Sequence, residues 1–373
     1  MNKKIHIEKD VFTAAKERVK NTLLEYDDCA CAFSGGKDSL VTINLVDAVR
    51  KEMGLQGKTK VFFRDEELIS GNVIEFVKSI AESGRFDFRY FAIPLESTKV
   101  LLGKPTSYVQ WDCNRQHLRQ PPDYAIKAEP YRVFSQYNAD DFIAQGMNGR
   151  VAFFLGIRAQ ESLNRLQMLL KKKSSRNYVF PQTKRVSTVC PIYDWTEDDV
   201  FLYFYKEKVP YCEIYDNQML NFEGLRVATP FIAESAAHFN KIRTRDPIYY
   251  QQLVDLFPEM LVQERYFAEY DKSTSGVDFG KYSRDAKGIY AFIDDVLDDQ
   301  HQKDVAKKKA LAAISARETR LKTNPESIKN LGGYPLLYIM ESVLNGSYKR
   351  YIKACLMPTD KHFEYEGVDK NAL

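Results

Sequence analysis

The chain has 373 residues, 44% of them apolar and 28% charged, with 18 glycines and 14 prolines; this excludes a disordered or low-complexity scaffold and leaves room for two domains. Its 54 basic and 51 acidic residues give a net charge of +3, too balanced to argue by itself for a nucleic-acid or membrane partner. Six scattered cysteines without a C-x-x-C, and five histidines never at ligand spacing, argue against a metal site of adjacent ligands. With no signal peptide or apolar run of spanning length, the expected setting is a reducing cytoplasm and the expected cysteines are free thiols.

From Asp10 to Glu25 apolar residues recur at helical spacing, and "CACAF" follows as a short strand. It runs into Ser34-Gly35-Gly36-Lys37-Asp38-Ser39, after which Leu40 to Met53 resumes helical spacing. "KTKVFF" reads as a second strand, Asn72 to Ser83 as a helix and "FDFRYFAI" as a third strand. This alternation predicts βαβ units and an open, mostly parallel sheet with flanking helices. Leu95 to Arg150 loses periodicity and is expected to be a lid-like insertion. "RVAFFLGI" returns as a strand, a helix is expected from Ala159 to about Leu170, and "VSTVCPIY" precedes another helix near Thr196. The α/β domain is expected to occupy residues 1–225. Beyond Arg226 only helical spacing remains, so 226–373 reads as a helical C-terminal domain.

The glycine turn lies after a strand and before a helix. Two glycines there let successive N–H groups and the helix N-terminus point at one spot, which attracts an anion. Lys37 adds a full positive charge, Ser34 and Ser39 add hydroxyls, and Asp38 could orient a magnesium ion or cap the helix. The competing reading is a plain tight turn with a capped helix. The motif is neither G-x-x-x-x-G-K-[ST] nor G-x-G-x-x-G.

Two further blocks matter. In "GIRAQESLNR", Gly156 to Arg165, Arg158 falls at the carboxyl end of a strand, where open parallel sheets bind ligands, and Arg165 follows on the expected helix. Either arginine can fork onto phosphate or sulfate oxygens, although Arg165 is also placed for an i,i+4 pair with Glu161. In "PIYDWTEDDVFLYFYKEKVPYCEIYD", Pro191 to Asp216, Thr196 and Asp199 have the spacing of a capping box and Trp195 can pack beside it. Between Arg165 and Arg185 lysines and arginines crowd without an acidic residue, which is either a nucleic-acid contact or a solvated face.

Together "SGGKDS", "GIRAQESLNR" and "PIYDWTEDDV" resemble the PP-loop ATP pyrophosphatase superfamily, in particular its phosphoadenosine phosphosulfate (PAPS) reductase-like branch, over about residues 25–220. The resemblance implies an adenine nucleotide alpha hydrolase-like fold and a pocket for ATP or PAPS with Mg2+. It implies nucleotide-binding roles for Ser34, Gly35, Gly36, Lys37, Asp38, Ser39, Asp65, Arg158, Arg165 and Asp194. Lys37, Asp38 and Arg158 would be catalytic, with Asp38 at the metal. Asp65 is followed by Glu66 and Glu67 where that family usually has Thr-Gly, so a solvated acidic turn competes with a nucleoside role. The superfamily's shared reaction, attack on the α-phosphate of ATP with pyrophosphate release, is then the expected activity.

The reductases also carry a C-terminal Glu-Cys-Gly-hydrophobic-His motif that this chain lacks. Cys355 is the only cysteine after Cys212, and its neighbours do not match. The chain therefore resembles divergent members with a helical C-terminal domain, some of them linked to mobile elements, defence systems or transcriptional coactivation. Two alternatives follow: a nucleotide-sensing partner protein acting through its helical domain, and a PAPS reductase with a rewired thiol.

Overall fold

The computed structural model describes residues 8–344 except 103, 130, 162–164, 166–177, 221–224, 228, 237–238, 276–280, 284 and 324–335, together with 352. Helix α1 (Val11–Glu25) is capped by Asp10, whose carboxylate accepts the N–H groups of Phe12 and Thr13. Strand β1 (Asp28–Phe33) enters α2 (Lys37–Glu52) through the glycine turn; β2 (Lys60–Arg64), α3 (Gly71–Glu82) and β3 (Asp87–Phe91) follow. A hairpin, β4 (Leu95–Leu101) and β5 (Lys104–Gln110), leads through loops to α4 (Gln136–Ile143) and β6 (Val151–Phe154). After β7 (Val179–Pro181) and β8 (Val186–Val189) come α5 (Glu197–Glu207) and α6 (Ile214–Leu220).

The main sheet has the order β3-β2-β1-β6-β8-β7. All its pairings are parallel except β7 with β8. The chain adds β2 and β3 on one side of β1, then returns to add β6 and β8 on the other. That reversal makes the carboxyl ends of β1 and β6 a switch point, the place where open parallel sheets bind ligands.

Side chains alternate between two cores with the period of a strand. Cys31, Phe33, Val61, Phe63, Ala152 and Phe154 pack with α1, α2, α3 and α5. Ala30, Phe62, Val151 and Phe153 pack on the opposite face with Ile143 and Ala144 at the end of α4. Near-continuous apolar runs such as "VAFF" follow from burial on both faces.

The strands and helices expected through β3, together with β6, β8 and α5, appear within a few residues of the sequence reading. The segment 95–150 differs in kind, because it contains the β4–β5 hairpin and α4, capped by a Ser135–Asn138 box. Most of the helix expected from Ala159 lies outside the described residues, beyond a 3-10 turn at Ala159–Glu161.

The molecule divides into two compact units, residues 1–98 with 107–258 and residues 99–106 with 259–373. The division falls later than 225, because Phe231, Phe239 and Phe257 pack in one aromatic group with Tyr108. This group draws α7 (Ala233–Ala236), α8 (Phe239–Arg245) and α9 (Pro247–Leu256) into the first unit. The second holds α10 (Met260–Ser275), α11 (Ala286–Val296), α12 (Gln300–Thr323) and α13 (Leu336–Leu344). Its core is Ile289, Phe292, Ile293, Ala306, Ala310, Ile339 and Met340. Among the described residues no helix is long and apolar enough to cross a membrane.

Candidate nucleotide site at the glycine turn

At the end of β1, Gly35 takes φ +78°, a left-handed conformation that a side chain disfavours. A Cβ there would also stand 2.6 Å from Val73 Cγ1 of α3. The turn is braced from inside: Ser39 Oγ accepts the Ser34 N–H at 3.1 Å and donates to the Gly36 carbonyl at 2.9 Å. Gly36 caps α2 with no side-chain hydrogen bond, so the helix's first N–H groups are not covered by their own cap residue.

Lys37 is only 3% exposed. Its Nζ donates to the Leu225 carbonyl at 2.6 Å and lies 3.2 Å from Glu197 Oε1 and 3.5 Å from Asp38 Oδ2. Arg158 is equally buried, and its Nε donates to Asp38 Oδ1 at 2.5 Å. Its other nitrogens reach Gln160 at 3.2 Å and come within 3.9 Å of Glu161 and Glu197. Two buried cations and three carboxylates thus meet at the carboxyl ends of β1 and β6. Gly156 makes this possible, since a Cβ there would sit 2.4 Å from the Asp38 carbonyl carbon. Backbone presses on backbone, which is why the block that carries Arg158 begins with glycine.

Ser34, Gly35, Gly36, Lys37, Asp38, Ser39 and Arg158 are therefore brought together. Arg165 pairs with Glu161 at i,i+4, the arrangement its spacing allowed. Asp194 is engaged elsewhere: both its oxygens accept from the Arg18 guanidinium, at 2.6 and 2.7 Å, and Arg18 also donates to the Pro191 carbonyl. The Arg18 guanidinium also lies 4.4 Å from the centre of the Tyr193 ring. This clasp holds α1 against the end of β8. Thr196 and Asp199 form the expected capping box, and Trp195, 2% exposed, donates its Nε1–H to the Val11 carbonyl. The lysines at 171–173 lie outside the described residues, as does Cys355.

Asp65 is not a solvated acid. It is 1% exposed and accepts from Tyr90 Oη and from Arg119, each at 2.5 Å, and from the Glu67 N–H at 2.9 Å. Burial pushes its pKa up, while Arg119 pulls it down. Glu67 is wholly buried at φ +57°, the region where the family's glycine would be at ease. Its carboxylate is forked by Arg115 at 2.5 and 2.6 Å and accepts the Trp111 N–H at 2.6 Å. Glutamate holds this left-handed backbone with its carboxylate paired to Arg115 and its carbonyl accepting from Arg119. Sequence reasoning missed Glu197; it noted the acidic pair after Asp65 and a family-like Pro-x-x-x-x-Tyr turn ending at Tyr215, but not that Glu67 is buried or that the Tyr215 hydroxyl accepts the Lys37 N–H at 2.8 Å.

A mostly parallel sheet thus carries a glycine turn, a buried lysine and a buried arginine together at its switch point. The chain belongs to the phosphoadenosine phosphosulfate reductase domain family, whose model matches residues 28–253, and so to the PP-loop ATP pyrophosphatase superfamily. It is 28% identical over 220 residues to the uncharacterized protein YbdN of Escherichia coli K12, covering 54% of this chain and 53% of that protein. It is also 28% identical over 191 residues to the uncharacterized protein MJ0066 of Methanocaldococcus jannaschii, covering 50% of this chain and 33% of that one. The chain thus spans about half or less of the curated relatives it matches. Among solved structures, Candida glabrata FMN adenylyltransferase with FAD and inorganic pyrophosphate has a TM-score of 0.37 at 12% identity, covering 57% of this chain and 64% of that one. The PAPS reductase of Candida auris has 0.33 at 12%, covering 59% and 90%.

Proposed function

We propose that the chain binds ATP at the glycine turn and acts at its α-phosphate, transferring the adenylyl group to an acceptor or to water and releasing pyrophosphate. The observation that carries this reading is the juxtaposition of buried Lys37 and Arg158 at neighbouring strand ends, where carboxylates and neutral oxygens that an anion can replace hold them. Cleavage of the bond between the α- and β-phosphates develops negative charge on the departing pyrophosphate. The helix start at the turn, and the Lys37 ammonium once it exchanges the Leu225 carbonyl for phosphate, would stabilise that charge. Arg158 would fork onto the phosphoryl oxygens that remain with adenosine. Asp38, with Glu197 beside it, fits Mg2+, which binds through one or two carboxylates plus phosphate oxygens. When bound it would neutralise phosphate charge.

Four of the five cysteines among the described residues are unsuited to sulfur transfer. A reductase needs an accessible thiolate. Burial pushes Cys29 and Cys190 up to about 12, and raises Cys31 and Cys212 as well. Cys113 is the exposed cysteine among the described residues. Purified protein is expected to release pyrophosphate from ATP, measured by a coupled phosphate assay with candidate acceptors supplied. With PAPS, thioredoxin and its reductase it is expected to give no sulfite. Sulfite from wild type that vanishes in Cys113→Ser would replace this reading with a rewired reductase. Pyrophosphate release absent under every acceptor, with ATP still bound, would favour a nucleotide-sensing protein.

A further inference from the structure

Tyr215 lies in α6, is 1% exposed and sits in the core beside the glycine turn. Its hydroxyl accepts the N–H of Lys37, the first residue of α2 and so one of the donors that no helical carbonyl can reach. Gly36 is shaped to this hydroxyl, because a Cβ at that position would come within 3.2 Å of both Tyr215 Oη and Ser34 Oγ. A phenol has one proton of its own to donate. Among the described residues no carbonyl or carboxylate takes it; the hydroxyl's one hydrogen bond is the one it accepts.

We propose that the Tyr215 hydroxyl is a fixed phosphate donor of the glycine turn, passing the helix's first N–H outward as an O–H directed at the bound anion. The proposal rests on the phosphate-binding reading of that turn and adds a residue from α6 to it. Donation to an oxyanion requires a protonated phenol, and burial pushes the Tyr215 pKa up, so the proton stays on at neutral pH. The hydrogen bond accepted from Lys37 polarises the O–H and strengthens it as a donor. Position is held as well. Gln218, 4% exposed, donates to the Arg226 carbonyl at 2.7 Å and accepts the Arg226 N–H at 3.1 Å, tying α6 to residues 225–226. The carbonyl of Leu225 in that same piece takes the Lys37 ammonium. One stapled element thus sets both the hydroxyl and the resting place of the lysine.

The test is calorimetric titration of the full chain with ATP, inorganic pyrophosphate and adenosine, for wild type, Tyr215→Phe and Lys37→Ala. Tyr215→Phe is expected to weaken ATP and pyrophosphate by about tenfold each, the scale of one hydrogen bond to a charged group, and to leave adenosine unchanged. Equal anion affinity in wild type and Tyr215→Phe would reduce the hydroxyl to a helix cap. Tighter binding would show that the phenol occupies the anion's place, and a matching loss for adenosine would assign it to packing; each overturns the proposal. A wild type that binds neither anion, or a Lys37→Ala variant that binds both as well as wild type, overturns the phosphate reading itself. Anions bound by wild type and lost by Lys37→Ala, with Tyr215→Phe unaffected, overturns the tyrosine alone.

Discussion

Lys37→Ala is expected to weaken ATP binding by about 10- to 100-fold, the equivalent of one or two charge-assisted hydrogen bonds lost from a buried site. The lysine is 3% exposed and no carboxylate is closer to its Nζ than 3.2 Å. Its nearest partner is a neutral carbonyl. An incoming phosphate would replace the Leu225 carbonyl with an anionic partner for this buried ammonium. The apo melting temperature is expected to move little. Leu225 is only half-buried, so water can take over its carbonyl, and Glu197 remains 44% exposed. Calorimetry with ATP, beside a thermal melt of the apo protein, checks both halves. Unchanged affinity would remove the phosphate cradle.

Arg158→Ala should cost both folding and turnover, and the two costs can be separated. Removing the guanidinium leaves Asp38 without its shortest partner in a mostly buried position. Breaking a buried pair from one side costs about 3–5 kcal/mol when the remaining charge is fully enclosed, and less here because Asp38 keeps some access to water. The double variant Arg158→Ala with Asp38→Asn removes that orphaned charge and should recover much of the melting temperature. Pyrophosphate release should not recover in it, since it also lacks the carboxylate assigned to Mg2+, so the turnover cost of the arginine is read from Arg158→Ala alone, assayed below its melting temperature. The loss of one preorganised donor to a developing oxyanion typically costs about 100- to 1000-fold in turnover. A double variant that regains stability and activity together would make Arg158 a structural residue.

The sequence made the sheet and the glycine turn legible because their signals are local. A strand buried on both faces is an apolar run, and a turn that needs a left-handed residue takes a glycine. The capping box at Thr196 and Asp199 was readable for the same reason. What stayed hidden depends on pairs far apart in the chain. Glu197 meets Lys37 across 160 positions and Tyr215 meets it across 178. Glu197 shows in no spacing pattern, and the Pro-x-x-x-x-Tyr turn that ends at Tyr215 does not reveal the hydroxyl's partner, since each faces the turn only after α5 and α6 have folded against α2. Asp194 illustrates the opposite error. Its block is legible, but its partner Arg18 lies in the first helix, 176 positions away, and that partner decides what the carboxylate does. The polar hairpin β4–β5 was lost because short strands such as "LESTKVL" carry little apolar alternation.

The Arg18–Asp194 clasp also bears on where this folding unit starts. The family match begins at Asp28, directly at the first strand. Yet α1, which precedes it, closes one face of the sheet with Ala15 and Val19, both wholly buried. It also supplies the Val11 carbonyl to Trp195 and the Arg18 guanidinium to Asp194. A fragment cut at the border of the sequence family would expose that face and leave a carboxylate and an indole without partners. The stretch related by descent and the stretch that must fold together are different lengths of chain, and an expression boundary for the nucleotide-binding unit belongs before Asp10, the cap of α1.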